Sequence, residues 1–198
     1  MIIAIPQLFS SGMRETAREL GFVTYPEFLD NFYVSKGTNA YDEFLRLLTR
    51  YKGMVRYAIL PDYKYDLMER LVEWDQSINW IFPLHRKSEI EIARRLGVKW
   101  IGMPQRKAWR DYSIKWFTKL NGFKKWLLGF WDEDNPYIIR CFDGMDTVIP
   151  VYYSTKCGKI WLGWNRTFKP KVRIPTGELF KQSAINLKKE IEKILRGG

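Results

Sequence analysis

Residues 78–103 read INWIFPLHRKSEIEIARRLGVKWIGM, and this stretch decides the fold class. Ile78–Leu84 is a short apolar run that stops at His85, as a strand does on leaving a sheet. Lys87–Leu96 is a helical pattern stopped by Gly97 in the C-cap position. Trp100–Met103 is a second apolar run. A strand, a helix and a strand joined by short connections form a βαβ unit with parallel strands.

The same alternation extends in both directions. Further strands are expected at Ile2–Pro6, Thr24–Phe32, Val55–Leu60, Tyr137–Phe142 and Ile160–Trp164. Helices are expected at Arg14–Leu20, Asn39–Tyr51, Asp66–Trp74, Asp111–Leu120 and Gly177–Leu195. Asn39 would cap its helix, with Phe44, Leu45 and Leu48 on one face. The last helix opposes Leu179, Phe180, Ile185, Leu187, Ile191 and Ile194 to a wet face of Lys188, Lys189 and Lys193. Seven or eight such units predict a small (β/α) barrel, TIM-barrel-like, below the ~250 residues typical of that fold. An open doubly wound sheet is the alternative. The 198 residues, 46% of them hydrophobic, fit one domain over 1–198 with a basic C-terminal half and a C-terminal helix. No Gly-x-Gly-x-x-Gly or Walker motif supports a dinucleotide or nucleoside triphosphate site.

No apolar run reaches the ~20 residues of a membrane span. Met1–Pro6 lacks the basic flank of a signal peptide and reads as a buried first strand. Cys141 and Cys157 are too few for a disulfide framework. With His85 the only histidine and no Cys-x-x-Cys, neither a metal nor a cofactor is expected. The expected compartment is a reducing cytoplasm.

The net charge of +11 is unevenly placed. Residues 1–104 hold 14 Lys/Arg against 13 Asp/Glu, whereas residues 105–198 hold 19 against 9. Adaptation to heat adds both signs, and here only one grows. Nucleic acid, DNA or RNA, is therefore the expected partner. A solvated surface, an anionic membrane surface and an acidic protein are the alternatives, and no membrane partner is expected. Six of the nine tryptophans follow residue 104: Trp109, Trp116, Trp126, Trp131, Trp161 and Trp164. Trp116, Trp126 and Trp161 are expected in the core. Trp109, among Arg106, Lys107 and Arg110, is the candidate for base stacking. Lys169, Lys171 and Arg173 form a second basic stretch around Pro170, expected as a loop near the strand ends.

Function in parallel α/β folds gathers at the carboxyl ends of the strands. Asp30, Asp62 and Asp146 are predicted there, with His85, Gly102 and Gln105 at equivalent positions. Converging carboxylates can divide nucleophilic and proton-transfer roles, whereas an isolated one caps a helix or shapes a turn.

At these residues the chain resembles the tRNA-guanine transglycosylase superfamily, including its DNA-modifying branch that handles 7-deazaguanine bases. Phe28-Leu29-Asp30 followed by Ser35 is similar to the family's Asp-Ser-Gly-Gly-Phe segment. Asp146-Thr147-Val148-Ile149-Pro150 looks like its Asp-Cys-Val-x-Pro segment. The resemblance implies a glycosyltransferase exchanging guanine for an analogue, with Asp146 attacking C1′ and Asp30 moving protons. It also implies that Asp62, with His85 or Gly102 nearby, holds the base. Asn31-Phe32 stands where the family has glycines, its zinc insertion is absent, and the chain is far shorter. A non-catalytic nucleic-acid-binding module is the alternative, and a sugar- or nucleotide-processing hydrolase a third.

Overall fold

The computed structural model describes residues 1–6, 10–31, 37, 40–131 and 135–197. Ser35, Phe32 and the Asn39 cap lie outside the described residues. The principal sheet has eight strands: β1 (Ile2–Ile5), β2 (Val23–Thr24), β3 (Phe28–Leu29), β4 (Tyr57–Ile59), β5 (Asn79–Pro83), β6 (Trp100–Pro104), β7 (Lys124–Phe130) and β8 (Gly144–Thr147). Their order is β2-β1-β8-β7-β6-β5-β4-β3, with parallel pairings from β3 through β7 and of β1 with both β2 and β8. Apart from β2 and β3, which stand at the two ends of the order, neighbours in sequence are neighbours in the sheet, and β1 lies beside β8. This is the strand order of a (β/α)8 barrel, so the fold is of TIM-barrel type.

The helices are α1 (Ser11–Glu19), α2 (Ala40–Arg50), α3 (Tyr65–Trp74), α4 (Ile90–Arg95), α5 (Ile114–Thr118), α6 (Ile149–Thr155) and α7 (Thr176–Leu195). Two further strands, β9 (Ile160–Gly163) and β10 (Arg166–Phe168), form a separate antiparallel hairpin. By its contacts the chain divides into two compact units, Pro26–Leu128 and Met1–Tyr25 with Gly129–Gly198.

In the first unit, parallel strands with both faces covered read as near-continuous apolar runs, and all of Trp100–Pro104 is buried. Trp126 is fully buried. Phe28 stacks on it at 5.4 Å, and Tyr57 and Trp100 meet it at 5.7 and 5.6 Å. The helical stretch after β5 begins as a 3-10 turn, Lys87–Glu89, before α4. In the second unit, α7 buries Leu179, Phe180, Leu187, Ile191 and Ile194. Lys188, expected on its wet face, instead donates to the Leu20 carbonyl at 2.8 Å.

Several expected elements differ. Thr24–Phe32 is two short strands parted by a turn at Tyr25-Pro26-Glu27, because proline cannot serve a sheet ladder. Tyr137–Phe142 is a 3-10 helix over Pro136–Cys141, started by Pro136 and by Asn135 accepting from the Tyr137 amide at 3.0 Å. Ile160–Trp164 belongs to the hairpin rather than to the principal sheet. Trp161 is core as expected, but Trp116 is only half-buried, beside Tyr112 at 5.0 Å and under the Lys87 ammonium. Cys141 and Cys157 are both free.

Candidate functional site

The first unit carries a buried polar cluster at its strand ends. Asn31 lies two residues past β3, Asp62 three past β4 and His85 two past β5. All three are more than nine-tenths buried. His85 Nε2 meets Asp62 Oδ1 at 2.5 Å, and Asn31 Nδ2 donates to Asp62 Oδ2 at 2.6 Å. The same amide donates to the Leu60 carbonyl, and the Tyr41 hydroxyl donates to the Asp62 carbonyl.

The other ring nitrogen, His85 Nδ1, faces the Trp109 carbonyl at 2.9 Å. Both nitrogens therefore face acceptors, and a neutral imidazole has one proton to offer. Only the doubly protonated ring satisfies both. Burial, the largest influence on His85, pushes its pKa down. The hydrogen bond and charge of Asp62, the Trp109 carbonyl and the charge of Glu89 outweigh it and hold the pKa above the ordinary histidine value.

Glu89 anchors the backbone at His85. Its Oε2 accepts from the amides of His85 at 2.7 Å and Arg86 at 2.8 Å, and its Oε1 accepts from the Tyr65 hydroxyl. Burial, with the Glu89 hydrogen bond and charge, pushes the Tyr65 phenol up to about 12. The Tyr112 hydroxyl donates to the Leu84 carbonyl. Burial raises its pKa against the charge of Arg110, with Glu89 and Asp111 adding to the rise.

Tyr63 closes one face of the imidazole. Its ring stacks on His85 at 4.7 Å and 29°, yet it is 43% exposed. Its φ is +59°, a left-handed conformation costing a non-glycine residue about 1–3 kcal/mol. That conformation accompanies the placement of the aromatic ring over the imidazole.

The basic segment after β6 is strapped to this cluster. Besides the Trp109 carbonyl, the Asp111 amide donates to the His85 carbonyl at 3.0 Å, and the Lys87 amide to Asp111 Oδ1 at 2.9 Å. Arg106 and Lys107 are exposed, and the Arg106 guanidinium lies 5.2 Å over the Trp109 ring, which is 38% exposed. Arg110, expected to contact phosphate, is instead engaged internally. Its Nε donates to the Pro104 carbonyl at 3.0 Å and its Nη1 to the Tyr112 carbonyl.

The remaining expected residues fall as follows. Gln105 follows β6 and its amide donates to the Leu128 carbonyl. Gly102, expected to touch a base through its backbone, lies inside β6 with its carbonyl bonded to the Leu84 amide. A side chain there would meet Leu128 at 2.7 Å and Ile81 at 3.0 Å, so packing requires the glycine. Asp30 is half-buried directly after β3. Asp146 belongs to the other unit, inside β8 rather than in a loop, buried and accepting from the Gly129 amide at 3.0 Å. Lys169, Lys171 and Arg173 are exposed in that unit, between β10 and α7. Among the described residues no group of three His, Cys, Asp or Glu could hold a metal.

Asn31, Tyr63 and Glu89 were not singled out from sequence. Glu89 had a signal, an acid three residues past Arg86 able to reach back to the amides that open a helix. Asn31 and Tyr63 had none.

No protein-family model matches the sequence. The uncharacterized protein ORF192 of Acidianus two-tailed virus is 32% identical over 137 residues, 67% of this chain and 71% of that protein. The native KDPGal structure superposes with a TM-score of 0.55 at 9% identity, covering 98% of this chain and 95% of that one. Thiamine phosphate pyrophosphorylase from Pyrococcus furiosus gives 0.51 at 14% identity, covering 97% and 84%. At such identities the two structures share the fold.

Proposed function

The chain belongs to the same family as ORF192 of Acidianus two-tailed virus, and from that premise we propose a barrel enzyme that recognises a nucleobase at Asp62 and acts on nucleic acid. The observation that carries the proposal is the Asn31–Asp62–His85 cluster bonded to the basic Arg106–Trp109 segment. Each oxygen of a carboxylate can accept more than one hydrogen bond. Asp62, oriented by two protein donors, retains acceptor capacity suited to the adjacent N–H donors on the edge of a guanine-type base. The His85 ring and the Asn31 amide fix the orientation of that carboxylate, and Arg106 and Lys107 offer charge to the neighbouring phosphates.

The reaction proposed is base exchange. A carboxylate nucleophile attacks C1′ as the C1′–N bond breaks, and the bonding pair leaves with guanine, which takes a proton from Asp30. The incoming base loses its proton to Asp30, attacks C1′ and expels the carboxylate. The role of Asp30 rests on its position directly after β3 and on the resemblance to the transglycosylases. The alternative is a nucleic-acid-binding module without chemistry. It is favoured by one observation: both His85 nitrogens are engaged by protein acceptors and one ring face is covered.

Incorporation of labelled guanine into DNA and RNA tests the exchange. Asp62→Asn is expected to abolish it through loss of base binding, and Asp30→Asn to abolish it with binding intact. Exchange at the wild-type rate in Asp62→Asn overturns the site. Salt-sensitive binding in Arg106→Gln/Lys107→Gln equal to wild type overturns the basic segment's role. Wild-type binding without any exchange selects the binding module.

A further inference from the structure

We propose that the β9–β10 hairpin and the loop after it form a docking surface for an anionic phospholipid bilayer. The proposal is independent of the nucleobase site.

From Thr147 to Gly177 the chain has six basic residues and no acidic one. The hairpin lies in the middle of this segment. Its inward side is fixed on α7: the Trp161 amide donates to Ser183 Oγ, Asn186 donates to the Trp161 carbonyl, and Arg166 pairs with Glu190 at 3.7 Å. Alternation along β9 then turns Leu162 outward, where it is 42% exposed. Ile160 shares that outward face, and Phe168, its cross-strand partner, lies beside it and is 49% exposed. Val172, in the following loop, is 72% exposed.

Lys159, Lys169, Lys171 and Arg173 flank these apolar residues in sequence. All but Lys159, which is half-buried, are exposed, and none of the four has an ion-pair partner among the described residues. The combination selects the partner. A nucleic-acid strand would use the cations and Phe168 but has no use for Leu162 and Val172. A bilayer surface uses both classes, with headgroup phosphates meeting the lysines and the acyl boundary receiving the aliphatic side chains. No helix among the described residues is long and apolar enough to cross a membrane, so the contact is peripheral.

Flotation of the purified protein with phosphatidylcholine vesicles, with and without phosphatidylglycerol, tests this. Binding is expected only with phosphatidylglycerol present and is expected to weaken as salt rises. Replacing Lys169, Lys171 and Arg173 together with Gln is expected to lower partitioning about a hundredfold. Phe168→Ser is expected to lower it about tenfold at any salt. Both sets alter exposed side chains, and unchanged unfolding midpoints confirm that they fold. Asp62→Asn is expected to bind vesicles like wild type, which separates this surface from the nucleobase site. Failure to float with phosphatidylglycerol vesicles, or flotation unaffected by these changes, overturns the proposal. So does loss of oligonucleotide binding in the hairpin variants with flotation unchanged.

Discussion

The strand-end cluster of the first unit and the hairpin of the second both gather polar side chains, and they treat them in opposite ways. Around His85 the polar groups are buried and bonded to one another: Asp62 by Asn31 and the imidazole, Glu89 by two amides and a phenol. In the loop after the hairpin, Lys169, Lys171 and Arg173 stand in solvent, following exposed Phe168 and flanking Val172, without an ion pair among the described residues. A closed network fixes geometry and shifts proton affinities, which suits recognition and chemistry. An open array of cations fixes nothing within the chain and keeps its electrostatic attraction for an external surface. The charge asymmetry between the halves of the sequence conceals this division, because the basic residues at 106–110 belong to the first unit and those at 169–173 to the second.

Removing one member of each arrangement should separate them most clearly. Asp62→Ala leaves a buried imidazolium and the Asn31 amide without their shared partner. It is expected to cost about 3–5 kcal/mol in denaturant unfolding. Lys171→Ala is expected to change stability by less than about 0.5 kcal/mol, and equal losses in the two variants would erase the contrast. Packing gives a smaller difference. Gly102→Ala forces a methyl against Leu128 and Ile81 and is expected to cost about 1–3 kcal/mol. Gly177→Ala, with nothing within 4 Å, is expected to be neutral or to stabilise by up to about 1 kcal/mol.

The pH dependence follows from the raised pKa of His85. The protonated ring's contribution to stability is complete below the unfolded histidine value of about 6.5. It is lost as pH rises through the higher folded value. Unfolding midpoints are therefore expected to fall with rising pH above neutrality, and His85→Gln to flatten that slope. An identical slope in the variant would assign it to another group. The smallest effect is expected at Tyr63→Gly, where relief of the left-handed backbone and loss of ring stacking nearly cancel, leaving a change within about 1 kcal/mol. Imidazole chemical shifts followed through a pH titration would still register the uncovered ring.

The fold class was legible in 78–103 because apolar strands and a glycine-stopped helix are local signals. Elements with mixed chemistry were not. Lys124–Phe130 opens with two lysines and carries Gly129 at φ +67°, so its strand character comes from pairing with β6. Gly144–Thr147 reads as a loop until β1 pairs with it and buries Asp146. At the site, Asp62 and His85 could be placed at strand ends. Their union could not, since it depends on long-range bonds across 23 residues. Asn31 rather than Asp30 reaches Asp62 because the chain's path after β3 decides which neighbour turns inward, and no local pattern encodes that choice.

The hydrogen bond from His85 Nδ1 to the Trp109 carbonyl makes proton uptake and loop order two views of one equilibrium. Thermodynamic reciprocity follows: whatever orders the Arg106–Trp109 segment must also tighten the proton on the imidazole, by the same free energy with which the proton orders the segment. A polyanion bound at Arg106 and Lys107 would then be felt as a rise in the His85 pKa. The histidine would report occupancy of a surface that its own ring does not touch.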